Sequence, residues 1–227
     1  MITETTSDEA RRFYIDKMGE KLGEQFHALW QETATLHLRW AEFVELFADE
    51  RSRIDLLNQA ALSFFRIVED GLWDHSLLHI ARLTDRPKSR GKENLTIQNL
   101  TKLVDNRIEP RVTDLVNKAV SKSEFCHDWR NRNIAHCDLM LSLNQSVTPL
   151  SDAHKQNTEE ALSAIEAVLS AVHEWYTGSP TTFKFVFTNG GAAALLRVLD
   201  NGLKAQRRSR EHLLRCQWPE KDKPQDR

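Results

Sequence analysis

The sequence predicts an all-α protein, a bundle of long helices with one short extended segment near residues 181–188. Three observations carry this. Apolar residues recur at three- and four-residue steps over most of the chain, the period of one helix face. The six prolines (Pro87, Pro110, Pro149, Pro180, Pro219, Pro224) fall between those stretches rather than within them. Only Thr181–Thr188 alternates, through Phe183, Phe185 and Phe187, as a strand does. A lone strand makes no sheet, so this segment is expected as an arm laid on helices or on a second subunit.

Thr6 with Glu9 three residues later is a capping-box start. From there Ile15, Met18, Leu22, Phe26, Leu29, Thr33, Leu36, Trp40, Val44 and Phe47 set a stripe, and the period predicts one very long helix, or two in line, over 7–48. Gly19 and Gly23 weaken its early part by up to about 1 kcal/mol each. The stripe of Leu57, Ala61, Phe64, Val68, Leu72, Ile80 and Leu83 predicts a helix over 52–84, followed by a polar loop from Asp85 to Lys92. Thr96 caps a short helix reaching about residue 105, and a long one follows over 110–138. Residues 145–156 are a polar connection. Ala161, Ile165, Val168 and Val172 mark a helix over 157–176, and a last helix covers 191–215. The expected organisation is one domain over 1–215, with 52–177 as its core bundle and 216–227 as a flexible tail.

Composition limits the function. With 227 residues the chain is long enough to bury about 70 % of its unfolded surface. A net charge of −2 gives no global basic field, so any nucleic acid must be held by a local patch. Three cysteines (Cys126, Cys137, Cys216) make no disulfide framework and suit a reducing compartment. No apolar run approaches the ~20 residues of a membrane span, and Met1-Ile2-Thr3-Glu4 is no signal peptide, so a cytoplasmic protein without membrane contact is expected.

Chemistry concentrates in Arg130-Asn131-Arg132-Asn133-Ile134-Ala135-His136, late in the helix over 110–138. At 100° per residue, Val116, Ala119, Ser123, Cys126, Ile134 and Cys137 lie within about 40° of Val112, and Arg130 lies on that line. An arginine at the centre of a buried stripe is costly unless paired or facing a wet cavity. Arg132 lies on the far side beside Asp128, as an exposed ion pair at four-residue spacing.

Arg-Asn followed by Ile-Ala-His in a long helix resembles the signature of the HEPN superfamily, an arginine, a polar residue, and a histidine after four to six intervening residues. The nearer resemblance is to the abortive-infection AbiU-type HEPN family. It is carried also by Leu72-Trp73-Asp74, by Ile80 to Asp85, by Asn94-Leu95-Thr96-Ile97 and by Asp138, and spans about residues 25–180. The resemblance implies a HEPN-like bundle, a homodimer formed through the motif helices, and a metal-independent endoribonuclease that needs no cofactor. It implies a toxin or phage-defence role, with RNA as substrate and an antitoxin protein as a further partner. In that reading His136 is the general acid or base, Arg130 stabilises charge on phosphorus, and Asn131 orients the phosphate or the histidine.

On a straight helix Arg130 and His136 lie about 120° apart. Either the helix ends near Asn133, or the two groups meet across a dimer axis. The competing expectation is a non-catalytic module that binds RNA, nucleotide or a protein, with Arg130 paired to an internal carboxylate. Two basic concentrations could follow an RNA backbone: Arg86, Lys88, Arg90 and Lys92, and the late helix with Lys204, Arg207 and Arg208. Metal sets are not expected. Cys126-His127 and His136-Cys137 stand about 16 Å apart along a helix, and His75 with His79 has no evident third ligand.

Overall fold

The computed structural model describes residues 6–47, 50–135, 138–143, 149–183 and 190–217. His136 and Cys137 lie outside the described residues, as do most of the alternating segment 181–188 and the tail from residue 218. The fold is all-α. Helices run over Ser7–Met18 (α1), Glu20–Phe47 (α2), Arg51–Leu83 (α3), Glu109–Lys122 (α4), Glu124–Trp129 (α5), Leu139–Ser142 (α6), Lys155–Thr177 (α7) and Gly191–Gln217 (α8). A 3-10 helix covers Ile97–Lys102, and two-residue strands Lys88–Ser89 (β1) and Lys92–Glu93 (β2) pair antiparallel. Their turn holds Arg90 and Gly91 at positive φ, the geometry that a two-residue hairpin demands.

The chain divides into two compact units, residues 1–40 with 72–185, and residues 41–71 with 186–227. In the first, the capping box forms as expected: Thr6 accepts from the Glu9 amide, and the Glu9 side chain accepts from Thr6. The expected continuous or in-line helix over 7–48 does not form. Gly19 (φ 81°, ψ 162°) ends α1, and the chain folds back. Ser7 meets Gln31, Arg11 meets Glu24, and the Tyr14 ring packs edge-on against Phe26 at 4.8 Å. Gly23 allows this hairpin to close, because a Cβ there would stand 2.5 Å from the Tyr14 carbonyl oxygen. The apolar phase nonetheless persists along α2, where Leu22, Phe26, Leu29, Leu36 and Trp40 are all buried.

Packed in the same unit are α4 and α7, with the 3-10 helix against α4. Ala161, Ile165, Val168 and Val172 of α7 are buried, as their spacing predicts. At the described end of the alternating segment, Trp30 Nε1 donates to Thr181 Oγ1 (3.2 Å), and the buried Phe183 stacks on His37.

In the second unit the apolar stripe of α3 departs from expectation. Ala61 leaves the helical conformation (φ −166°, ψ 72°) and kinks the helix. The phase slips at that point, so Phe65 is buried while Phe64 is exposed. Glu42 accepts from the Ala192 amide, placing a carboxylate at the positive end of α8.

Replacing Gly23 with alanine is expected to lower stability by about 2–3 kcal/mol in urea denaturation, because the contacted atoms are backbone. An unchanged midpoint would refute the close crossing of α1 and α2.

Candidate functional site

Site geometry begins at the carboxyl end of α3. The last carbonyls of a helix have no partner within it, and here side chains at alternate positions of the next segment supply donors. Asn94 Nδ2 donates to Arg86 O (2.7 Å), and Thr96 Oγ1 to Leu83 O (2.9 Å). Gln98 Nε2 reaches both Thr84 O (2.9 Å) and Asp85 O (3.1 Å). Thr96 also accepts from the Gln98 amide, capping the 3-10 helix as its sequence position predicts. These contacts fix Thr84 and Asp85 opposite the end of α5.

On the opposing side, Val112, Val116, Ala119, Ser123 and Cys126 form the expected buried stripe. The single helix over 110–138 is nevertheless interrupted twice. Ser123 separates α4 from α5, its hydroxyl donating to Ala119 O (2.8 Å). From Arg130 to Ile134 the helix widens to a π turn, with Ala135 N donating to Arg130 O across five residues. A 100° projection therefore holds only as far as Trp129. Helical structure ends at Ile134, close to the earlier of the two geometries that the motif allowed. Such π turns recur at functional sites.

Arg130 Nη1 donates to Asp85 Oδ2 at 2.7 Å, and its Nε donates to Asn131 Oδ1 at 3.0 Å. Nη2 finds no acceptor among the described residues. The pair is not sealed in the core: the two side chains are 21 % and 28 % exposed. Both line a cavity of about 600 Å³, together with Thr84, Gln98, His127 and Asn131. Arg130 is thus paired to an internal carboxylate, as the non-catalytic expectation requires, yet it faces open space.

Sequence reasoning did not single out His127 as part of the site. It stands three residues before Arg130, on the same side of the helix, and that spacing was the available signal. Thr84 Oγ1 gives its one proton to Ile80 O (2.8 Å), so at 3.0 Å from His127 Nε2 it can only accept. His127 therefore carries its proton on Nε2 and leaves Nδ1 with a lone pair. Burial first, then the Arg130 charge, lower its pKa from the usual imidazole value, against Asp85 and Glu124. Neutral at pH 7, it has the protonation state of a base.

Other sequence-selected residues fall as follows. Arg132 pairs with Asp128 at 3.4 Å and reaches Pro149 O, while Asp128 also accepts from the amide and hydroxyl of Ser151. That network anchors the chain after residue 149, and both side chains are partly buried rather than fully exposed. Asn133 is exposed. Arg86 lines the cavity, whereas Lys88, Arg90 and Lys92 lie exposed on the hairpin. Lys204 pairs with Asp200 and Arg207 with Gln59 in the second unit, where Arg208 is exposed.

His75 and His79 are held by an arginine. Arg39 Nη1 stands 2.6 Å from His75 Nε2 and 3.3 Å from His79 Nδ1. Arginine only donates, so one lone pair on each ring is occupied, and His79 Nε2 faces Glu32 at 2.8 Å. Among the described residues no group of three histidine, cysteine or acidic side chains is arranged to hold a metal. Cys126 is buried, which raises its thiol pKa well above the usual value.

Two outcomes follow from these contacts. Thr96→Val keeps the shape but strips the donor from Leu83 O, and is expected to cost about 1–3 kcal/mol in chemical denaturation. Burial pulls His79 down to about 4, against Glu32, from an unfolded value near 6.5. Its stabilising contribution is therefore complete above about pH 6.5 and is lost as pH falls toward 4, up to about 3 kcal/mol. The melting temperature should drop over that window, and His79→Gln should make the drop shallower; parallel curves would show that His79 is not the group responsible.

No curated protein and no solved structure matches the chain. The family model HEPN_AbiU2, described as AbiU2, matches residues 19–195, a span that holds the α3 terminus, the Asn94–Gln98 segment and the arginine-asparagine motif. The chain belongs to the AbiU2-type HEPN family.

Proposed function

We propose that this protein is a metal-independent endoribonuclease acting in abortive infection, as a toxin or phage-defence protein, with a site completed in a homodimer. The observation that carries this reading is the shared cavity of Arg130, Asn131 and His127, in which one edge of the Arg130 guanidinium has no acceptor among the described residues. RNA brings its own nucleophile. His127 Nδ1 takes the proton of a 2′-hydroxyl, whose oxygen attacks the adjacent phosphorus. A bond to the 5′-oxygen breaks, leaving a 2′,3′-cyclic phosphate, and the departing oxygen receives a proton from His136. Arg130 places its free N–H groups on the phosphoryl oxygens as negative charge gathers there, and Asn131 holds the guanidinium plane. Two histidines serve this scheme better than one, since a base and an acid are needed in the same step.

A second reading has a specific observation behind it. Asp85 already neutralises Arg130, as it would in a non-catalytic HEPN module that binds RNA, nucleotide or a partner protein.

Cleavage of total RNA in excess EDTA separates the two. Wild type should cut RNA to cyclic-phosphate ends, and Arg130→Ala, His127→Gln and His136→Ala should each lose about 10²–10⁴ in rate. Equal activity in wild type and all three variants, or none in any of them, would refute the catalytic reading.

A further inference from the structure

A second cavity, of about 240 Å³, lies in the same unit and is not part of the site above. Lys21 of α2, Lys88 of β1 and Lys102 of the 3-10 helix all line it. None of the three has an ion-pair partner among the described residues, and Glu93 is the one carboxylate in the lining. Three like charges drawn from three separate elements repel one another, and that repulsion is relieved when an anion sits among them. Gln25 lines the same cavity, and its Oε1 is buried with no hydrogen-bond partner. A buried acceptor left unpaired costs free energy until something brings it a proton.

We propose that this cavity is a phosphate subsite for RNA, holding a backbone phosphate next to the strand segment bound at Arg130, with Gln25 accepting from a ribose 2′-hydroxyl. This rests on the RNA reading given above. The two cavities share a wall. Arg86 and Gln98 line the Arg130 side, and their chain neighbours Pro87 and Asn99 line the lysine side. That wall is rigid, because Asn94 donates to Arg86 O while its own carbonyl accepts from Asn99. A strand leaving Arg130 across it meets the three ammonium groups. Lysines act as point charges and read no sequence, so the subsite contributes affinity and register. Gln25 adds chemical selectivity, since the 2′-hydroxyl is what distinguishes RNA from DNA.

Binding to labelled single-stranded RNA and to DNA of the same sequence tests this, with each protein carried on His136→Ala so that RNA stays intact. Lys21→Ala with Lys102→Ala should weaken binding of both strands about ten-fold and flatten the log–log salt dependence by about 1.4, two lysines at about 0.7 each. Lys118→Ala with Lys155→Ala, the same charge change elsewhere in the unit, should do neither. Gln25→Met should leave DNA binding unchanged and reduce the preference for RNA. Thermal protection by pyrophosphate, measured in parallel, should also fall in the Lys21/Lys102 variant. If that variant matches the control pair in salt slope and in pyrophosphate protection, the subsite is refuted. If wild type binds no RNA while pyrophosphate protection still depends on Lys21 and Lys102, the anion subsite stands and the RNA reading fails.

Discussion

The candidate site depends on how the carboxyl end of α3 is closed. A helix of this length ends in carbonyl groups that demand donors, and burial of the surrounding residues keeps water from supplying all of them. Asn94, Thr96 and Gln98 meet that demand at alternate positions, each reaching back to carbonyls between Leu83 and Arg86. One consequence is local order in a segment that would otherwise be a polar loop. Another is positional: Thr84 and Asp85 are held where His127 and Arg130 arrive from α5. Thr84 then sets the tautomer of the histidine, and Asp85 sets the direction of the arginine. Remove the closure, and His127 and Arg130 lose the fixed positions of Thr84 and Asp85.

The parts of this arrangement that were legible in the sequence are those governed by short-range rules. The Thr6–Glu9 box, the Thr96 cap, the Val112–Cys126 stripe and the Asp128–Arg132 pair all follow from spacings of two to four residues. What escaped depends on single backbone angles or on distant partners. Gly19 reverses the chain without disturbing the apolar period on either side, so periodicity reports one helix where there is a hairpin. Ala61 shifts the phase by about one residue and exchanges Phe64 for Phe65. Asp85 stands 45 residues before Arg130, and no spacing rule links them. His127 stands one turn before Arg130, a spacing visible in the sequence, whereas the motif pairs the arginine with His136.

Charge within the cavity limits what one chain can do. Its ionised side chains are Arg86 and Arg130 against Asp85 and Glu124, two of each sign, so the site as lined has no net charge. A neutral cavity does not concentrate phosphate, and Asp85 opposes any anion placed against the arginine it holds. Stabilising a phosphoryl group that gains charge in the transition state therefore needs positive charge from outside this set. Within the chain the candidates are a protonated His136 and the lysine cavity beyond the shared wall. Outside it, a second protomer brought up by two-fold symmetry would add another Arg130. The Arg130–Asp85 pair thus fits both halves of the proposed function. In one chain alone it is a neutral structural contact. With added positive charge, the pair already lines the cavity in which a phosphate would bind, so little reorganisation is needed when the charge develops.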